Sequence, residues 1–518
     1  MNQLKRDLNR PIKRVSIAVL VLFVILLVNA NYLQAVEAPS LANGPENARA
    51  EYNNSLVQRG SIVTADGVTI ASSKAANNNS GFKYQRSYSD GQVYAPVTGY
   101  DTVFTAAQAP NFAIGVERAE NSLLSGTGDQ LAFRNFIDMI TDKAQKGATI
   151  QVTINSKAQQ AAYAGLEQIL AGKTINGVQQ VGGVVALDPS TGAILAMASY
   201  PSYDPNALAV PNTTTAGNLV KELTHEDPSP LLNNATQTTL PPGSSFKIVT
   251  SSTWYTQSSA HTPQTVVYSP QPLKLPNGNV LNNDNDSICG SGNGQTAVIT
   301  AFAQSCNTPF ANIGMQLGGP AIKSIADKYG FNTALDISGV TTAASDFVAE
   351  SDASFTAQDA IGQHDTTETP LQEAMIAATV ANGGVEMKPY LVQQATASDL
   401  SVVSQTQPQE LAQPISAGVA GYEKQMMLAV VQDSDGTAFT FNAGAENGLL
   451  IAGKTGTAQN AVGEQPDAVF TAFAPADNPK IAVGVMIEGG GYGAQAAAPI
   501  AVAVIKAYLA YLAATGQG

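Results

Sequence analysis

The distribution of apolar residues first separates a membrane-spanning candidate from the rest of the chain. Residues 17–28 are all apolar, and with Val15 and the apolar residues up to Leu33 they approach the roughly 20 residues that span a bilayer as a helix. Lys and Arg are concentrated in the residues before this run, which predicts a cytoplasmic N-terminus and an extracytoplasmic remainder. The alternative is a cleaved signal peptide with its cleavage site at 28–30, and it exports the rest of the chain equally well.

Downstream of this run, the pattern predicts a region of short, mixed elements. Residues 37–56 have the polar composition of a connector. Residues 59–62 and the Asp66-Gly67 pair predict a strand, a tight turn and a second strand, and residues 75–80 predict a loop. Nothing up to residue 147 has a catalytic pattern.

From residue 148 onward, longer elements predict an α+β fold. Residues 148–154 alternate like a strand, Ser156 is the predicted N-cap of a helix over 157–170, and residues 182–197 indicate two strands around an Asp-Pro-Ser-Thr-Gly turn. The later predicted elements are Ala-rich helices around Thr250, Phe310 and Met375, strands over 469–474 and 481–487, and a final helix over 498–514. Strands at both ends that enclose helices predict a central antiparallel sheet completed by distant segments.

Composition narrows the function classes. The 518-residue chain has a formal net charge of −14 and no long basic run outside residues 1–14. This argues against nucleic acid as a partner, because phosphate neutralisation needs clustered Lys and Arg. The three His residues show no metal-ligand spacing, so neither a catalytic zinc site nor a cofactor is predicted. Cys289 and Cys306 form either one disulfide or two inert thiols, and the even count in an exported chain favours the disulfide.

Three short motifs carry the candidate chemistry. They are S-x-x-K from Ser244 to Lys247, S-x-N from Ser305 to Asn307, and K-T-G-T from Lys454 to Thr457. The first two patterns also occur at residues 80–83 and 291–293, whereas Lys-Thr-Gly occurs once. The three motifs in this order are the trio of penicillin-recognising serine enzymes.

Ser244 and Lys247 are the predicted nucleophile and base. A helix that starts at Ser244 places residues i and i+3 on one face, so the Lys247 amine lies beside the Ser244 hydroxyl. A lysine can accept this proton only when burial and nearby positive charge lower its pKa, and Lys454 is the candidate second cation. The N-terminus of the helix would also direct backbone N–H groups at a developing oxyanion.

Ser305 and Asn307 are predicted to support this pair. Ser305 would pass a proton between Lys247 and the leaving amine, and Asn307 would orient Lys247 and the substrate backbone. The alternative for either residue is the N-cap of a helix, which Ser or Asn alone would satisfy.

The K-T-G-T motif predicts a strand that binds a peptide. It follows the apolar residues 449–452, and Gly456 allows another backbone to approach closely. A substrate pairing with this strand would place its terminal carboxylate near Lys454, Thr455 and Thr457. The alternative is a surface turn that contains a glycine.

On these residues the chain resembles class B penicillin-binding proteins, most closely the PbpA type of actinobacteria. Beyond the trio, the resemblance rests on flanking blocks at residues 59–62, 66–67, 183–192, 234–237, 361–363, 369–372 and 382–384. It implies a cytoplasmic tail (1–14), a transmembrane anchor (15–34), a smaller β-rich pedestal (35–147) and a penicillin-binding transpeptidase domain (148–518).

The resemblance also implies a reaction and its partners. The reaction is D,D-transpeptidation of peptidoglycan through an acyl-serine formed at the D-Ala-D-Ala end of a stem peptide, followed by transfer to the amine of a neighbouring stem. β-Lactams would acylate the same serine, and the backbone N–H groups of Ser244 and Thr457 would bind the oxyanion. The implied partners are the membrane bilayer and a polymerase or divisome protein, with a role in cell division or cell shape.

Some features depart from the family, and other functions share the motifs. Residues 467–470, Asp-Ala-Val-Phe, stand where many relatives have a His or an aromatic pair, and no glycosyltransferase-sized segment that would predict polymerisation precedes the pedestal. A D,D-carboxypeptidase would use the same residues with water as the acceptor. A β-lactam sensor or divisome scaffold is the non-enzymatic alternative, and a compact β-lactamase would be about half this size.

Overall fold

A computed structural model describes residues 2–37, 56–76, 82–101, 115–131, 140, 145–210, 213–441, 449–459 and 465–516. Most of the predicted connector over 37–56 lies outside these residues. The same holds for most of the predicted loop over 75–80, including Ser80 of the second S-x-x-K sequence, although Ala75 is described and ends a strand.

The strands are numbered in chain order. They are β1 (Ile62–Val63), β2 (Thr69–Ala75), β3 (Tyr84–Tyr88), β4 (Thr149–Val152), β5 (Thr174–Ile175), β6 (Val178–Gln179), β7 (Gly182–Leu187), β8 (Ile194–Tyr200), β9 (Val266–Tyr268), β10 (Leu273–Lys274), β11 (Val280–Leu281), β12 (Gln295–Ala297), β13 (Glu386–Met387), β14 (Val392–Thr396), β15 (Val402–Gln405), β16 (Glu410–Ala412), β17 (Ala452–Ala458), β18 (Asp467–Ala474) and β19 (Ile481–Ile487).

The α-helices of the described residues are numbered in the same way. They are α1 (Asn2–Tyr32), α2 (Gly91–Thr98), α3 (Val116–Ala119), α4 (Asn121–Leu124), α5 (Ser156–Leu170), α6 (Thr213–His225), α7 (Lys247–Gln257), α8 (Val298–Ala303), α9 (Asn307–Leu317), α10 (Gly319–Lys328), α11 (Ala353–Asp359), α12 (Pro370–Ala381), α13 (Ala417–Gln432) and α14 (Gly493–Thr515).

Two of these helices are long and apolar enough to cross a membrane, and their surroundings differ. The segment Pro11–Tyr32 of α1 is wholly exposed, whereas α14 is half buried. Helix α14 packs against α5 and against β18 and β19, so its apolar residues belong to the protein core. The apolar surface of α1 has no protein neighbour among the described residues, which fits the predicted single-pass anchor.

The main sheet unites segments from distant parts of the sequence, as the pattern predicted. Its order is β17-β18-β19-β7-β8, and each neighbouring pair is antiparallel. Helices α5 and α14 cover one face and α12 covers the other, which explains why β18, β19 and β7 are mostly apolar and are buried along their whole length. The predicted α+β fold with a central antiparallel sheet is confirmed.

A second sheet joins the N-terminal region to later residues. Its order is β15-β14-β4-β1-β2-β3, with the predicted hairpin of β1 and β2 in the middle and β1 running parallel to β4. Beside it, the buried carboxylate of Glu117 pairs with Arg59 at 2.7 Å and with Arg86 at 2.6 Å. These contacts tie the start of β1 and the middle of β3 to helix α3.

One predicted helix cap was wrong. The N-cap of α5 is Asn155, whose side-chain oxygen accepts hydrogen bonds from the backbone N–H groups of Lys157 and Ala158, both at 3.1 Å. Ser156 is the first residue of the helix and donates its hydroxyl to Asp66 at 2.5 Å. Asn and Ser have similar preferences for the cap position, so the sequence did not distinguish these neighbours.

Candidate active site

The turn that carries Ser244 is held against strand β17 by a glycine. Residues Gly243–Phe246 form a short 3₁₀ helix that continues into α7 at Lys247, so the regular α-helix begins later than predicted. Gly243 has φ +56°, and a Cβ there would lie 2.6 Å from the carbonyl oxygen of Thr457. Only glycine tolerates both this backbone conformation and this close approach. Ser244 is half-buried at the surface of the turn, and Phe246 anchors the turn in the core.

Lys247 is fully buried beneath Ser244. Its Nζ lies 2.9 Å from the Ser244 Oγ, 2.8 Å from the Ser305 carbonyl oxygen and 2.9 Å from the Asn307 Oδ1. The two carbonyl oxygens can only accept hydrogen bonds, so they take two amine hydrogens. In a neutral amine, the lone pair is then left for the hydroxyl proton of Ser244.

The surroundings of Lys247 favour this neutral form. Burial lowers its pKa well below the usual value, the positive charge of Lys454 lowers it further, and Asp284 opposes the shift. An amine with a strongly lowered pKa is available as a base near neutral pH, whereas an ordinary lysine is not. The burial and second cation expected from the sequence are therefore both present.

The S-x-N motif lies between the two lysines. Lys454 Nζ donates to the Ser305 Oγ at 2.9 Å, whereas Lys247 reaches the carbonyl of the same residue. Ser305 has φ +59°, a left-handed conformation that directs its side chain and its carbonyl to these different partners. One residue thus connects the Lys247 amine beneath Ser244 with the K-T-G strand.

A disulfide and an asparagine fix the position of this motif. Cys306 is bonded to Cys289, with 6.0 Å between their Cα atoms. Helix α9 begins at Asn307, and the side-chain oxygen of Asn283 accepts from the N–H groups of Asn307 at 2.8 Å and Thr308 at 2.9 Å. The first N–H groups of α9 are therefore satisfied from another loop, which leaves the Asn307 side chain to contact Lys247.

The K-T-G-T motif lies on β17, at the edge of the main sheet. β17 pairs with β18 on one side and has no further strand neighbour among the described residues. A Cβ on Gly456 would lie 2.3 Å from the Pro242 carbonyl, so the turn that carries Ser244 packs directly on this strand. The Thr455 hydroxyl lies 2.7 Å from that of Thr437, and Thr457 is half-buried. The motif is a strand rather than a surface turn.

Lys454 is as deeply buried as Lys247 but has different partners. Its Nζ also donates to the Thr455 carbonyl at 2.9 Å, and it lies 5.4 Å from the ring centre of Phe302. Burial lowers the pKa of Lys454 to about 7, and the negative charge of Glu373 opposes this shift. The charge of Lys454 is therefore sensitive to its neighbours near physiological pH.

All the site residues singled out in the sequence meet in one place: Ser244, Lys247, Ser305, Asn307, Lys454, Thr455, Gly456 and Thr457. The second S-x-N sequence lies elsewhere in an exposed turn, where Asn293 accepts from the Gln295 N–H at 3.0 Å. Sequence reasoning missed Asn283, Thr437 and Glu373, which contact the site from other segments. None belongs to a short motif, so only their partners in the structure reveal them.

Comparison with known proteins identifies the family. The penicillin binding protein transpeptidase domain matches residues 182–506, and the penicillin binding protein A dimerisation domain matches residues 59–150. The chain belongs to the penicillin-binding protein transpeptidases. This penicillin-binding protein is 37% identical to the peptidoglycan D,D-transpeptidase PbpA of Mycolicibacterium smegmatis, over 97% of its own length and 99% of that protein. Identity to PbpA of Mycobacterium tuberculosis is 35%, with coverage of 97% and 99%.

Solved structures of related penicillin-binding proteins share its fold. The penicillin G acyl-enzyme complex of penicillin-binding protein A from M. tuberculosis matches with a TM-score of 0.78 and 34% identity, covering 88% of this chain and 100% of that chain. The imipenem acyl-enzyme complex matches with a TM-score of 0.79 and 35% identity, at the same coverage of 88% and 100%. The expected resemblance to the PbpA type is confirmed.

Proposed function

We propose that this penicillin-binding protein cross-links peptidoglycan as a D,D-transpeptidase, with Ser244 as the nucleophile and Lys247 as the base. The observation that carries the proposal is the 2.9 Å contact between the Ser244 hydroxyl and a fully buried lysine amine. The other hydrogen-bond partners of that amine are carbonyl oxygens, which leave its lone pair for Ser244. A serine paired with such a base is an activated nucleophile.

In the acylation step, Lys247 accepts the hydroxyl proton as Ser244 Oγ attacks the carbonyl carbon of the penultimate D-Ala. Collapse of the tetrahedral intermediate breaks the C–N bond, and the departing D-Ala amine takes up a proton. Because Lys454 donates to the Ser305 Oγ, the Ser305 hydroxyl hydrogen is free to be delivered to this amine, and the proton that Lys247 accepted replaces it on Ser305. The amine of a neighbouring stem then attacks the ester, its proton returns by the reverse route, and Ser244 is regenerated.

Substrate recognition is assigned to the edge strand β17. A stem peptide that pairs with its open edge would place its terminal carboxylate near Lys454, Thr455 and Thr457. The backbone N–H groups of Ser244 and Thr457 are the proposed oxyanion donors, since Gly243 brings the nucleophile turn into contact with the backbone of Thr457. A β-lactam would occupy the same strand and leave a covalent ester on Ser244.

The protein would act at the outer face of the cell membrane. Helix α1 supplies the proposed anchor over 15–34, with the tail 1–14 in the cytoplasm, the pedestal 35–147 and the catalytic domain 148–518 outside. The concentration of Lys and Arg before the apolar run supports this orientation. Nascent peptidoglycan is the substrate there, and a polymerase or divisome protein is the proposed partner.

Labelling with a penicillin tests the nucleophile. Mass spectrometry of the adduct should locate it on Ser244, and Ser244→Ala should abolish labelling, whereas Ser80→Ala should label normally as the matched control. Incubation with a stem-peptide substrate and an amine acceptor should give a cross-linked product in addition to released D-Ala. An adduct on another serine would refute the assignment, and release of D-Ala without cross-linking would indicate a carboxypeptidase.

A further inference from the structure

Two buried carboxyl groups lie behind the nucleophile turn, and the reaction described above does not use them. Glu373 is on α12 and Glu368 lies just before this helix, with exposed fractions of 1% and 0%. The Glu373 carboxylate accepts a hydrogen bond from the Ser245 hydroxyl, and its backbone carbonyl accepts from the Thr471 hydroxyl on β18 at 2.6 Å. Burying a pair of carboxyl groups is costly unless they have hydrogen-bond or charge partners, so a buried pair beside the site points to a role for it.

Ser245 connects Glu373 to both catalytic segments. It follows Ser244 directly, and its hydroxyl also lies 2.9 Å from the Pro242 carbonyl, across the turn. A Cβ on Gly456 would lie 3.3 Å from the Ser245 Oγ, so this hydroxyl lies against the K-T-G strand as well. Glu373 is therefore linked, through one buried hydrogen bond, to the turn that carries the nucleophile and to the strand that binds substrate.

The groups that face Glu373 are Ser245 on the turn, Glu368, Thr471 on β18 and Lys454 on β17. Lys454 is the register partner of Thr471 across the two strands, so it lies beside the residue that donates to the Glu373 carbonyl. Burial raises the pKa of Glu373 to about 7, while Ser245, Glu368 and the charge of Lys454 oppose this shift. Burial raises the pKa of Glu368 well above its usual value, and the charge of Glu373 raises it further. Of the two carboxyl groups, Glu373 is therefore the one whose ionised form the surroundings favour.

We propose that Glu373 is a positioning residue for acylation: through Ser245 it fixes the turn that carries Ser244, and its negative charge offsets the buried positive charge of Lys454, which binds the substrate carboxylate. The proposal rests on the function proposed above, because it assigns Glu373 a role in that same site. Glu373 does not touch the reacting atoms. It acts through Ser245 and Lys454.

Single substitutions separate the two effects. Ser245→Ala removes the hydrogen bond and leaves the charge, Glu373→Gln leaves an acceptor and removes the charge, and Glu373→Asp keeps the charge. Glu368→Gln is the matched control. Glu368 is equally buried, but its carboxyl group makes no hydrogen bond to Ser245. The readout is the second-order acylation rate across neutral pH, with a penicillin and with an uncharged ester analogue that lacks the carboxylate.

Ser245→Ala should slow acylation by both compounds by about tenfold, the usual effect of one lost hydrogen bond. Glu373→Gln should slow the penicillin more than the ester, and the alkaline limb of the penicillin profile should move to lower pH. The sign follows because the Glu373 charge raises the pKa of Lys454, so its removal lets Lys454 lose its proton at a lower pH. Glu373→Asp should restore much of the selectivity for penicillin, and Glu368→Gln should retain it.

An unshifted alkaline limb in Glu373→Gln, or equal losses for both compounds, would overturn the charge effect. An unchanged rate in Ser245→Ala would overturn the anchoring effect. If thermal melting shows that Glu373→Gln does not fold, Glu373→Asp decides the charge effect, since loss of penicillin selectivity with a carboxylate still present would contradict it. Labelling of Ser244 in the unsubstituted protein is independent of all these outcomes, so the proposed function is tested separately.

Discussion

Replacement by arginine should abolish most of the acylation activity at Lys247 but preserve part of it at Lys454. Both lysines have an exposed fraction of 0%, but Lys247 contacts the Ser244 hydroxyl and Lys454 contacts the Ser305 hydroxyl and the Thr455 carbonyl. Arginine stays protonated in proteins, so Lys247→Arg cannot act as a base. We expect it to slow acylation by about 10²–10⁴-fold, the usual contribution of a positioned general base, and Lys247→Ala should lose as much.

Lys454→Arg should retain more activity than Lys454→Ala, because carboxylate binding needs the charge and not a free lone pair. Lys454→Ala should also move the acid limb of acylation to higher pH. The sign follows because the Lys454 charge lowers the pKa of Lys247, so without it Lys247 holds its proton up to a higher pH. Like charges at close range justify a shift on the order of one pH unit.

The assay is second-order acylation by a labelled penicillin and by an uncharged ester analogue, measured at several pH values. Activity of Lys247→Arg near that of the unsubstituted protein would refute the role of Lys247 as the base. An acid limb that does not move in Lys454→Ala would show that Lys454 does not tune Lys247. If Lys454→Ala slows both compounds equally, Lys454 does not recognise the carboxylate.

The remaining predictions concern the disulfide and the anchor. The unreduced protein should have a mass lower by two hydrogens than the reduced protein, and Cys306→Ala should lower the free energy of unfolding by about 3 kcal/mol, as expected for a loop of 17 residues. Free alkylation of both thiols before reduction would contradict the Cys289–Cys306 bond. The mature protein should retain residues 1–33 and stay with membranes after a high-salt wash. An N-terminus at Asn31 would instead show a cleaved signal peptide.

The sequence predicted the elements whose patterns are long and apolar. Strands β7, β8, β18 and β19 and helix α14 were found close to their predicted positions, because each is a largely apolar run that the fold buries. The nucleophile motif was also informative, since S-x-x-K places its serine and lysine on consecutive turns of a helical segment whatever surrounds them. The relative position of two residues this close in sequence is set by the local sequence alone.

Contacts between distant segments were not predictable in this way. Asn283 accepts a hydrogen bond from the first residue of α9, which lies 24 residues later in the chain. Glu373 accepts a hydrogen bond from Ser245, which lies 128 residues earlier. A glutamate within an apolar helix such as α12 is recognisable as unusual, but its partner depends on how the sheet closes. The 3₁₀ start of the nucleophile segment likewise follows from the contact of Gly243 with β17, which the local sequence does not contain.

The fold contributes to the site chiefly by burying charge. In solution each lysine of the motifs would have a pKa near 10.4 and would be a cation at neutral pH, unable to accept a proton from serine. The sheet brings Lys454 on β17 against the segment that carries Lys247, and both amines are buried. The ring of Phe310 on α9 lies over Lys247, and that of Phe302 on α8 lies over Lys454. Two amines in one dry site cannot both stay charged without an anion. Glu373 lowers that cost for Lys454, while burial and the charge of Lys454 favour the neutral form of Lys247, and this asymmetry fits the different functions proposed for the two lysines.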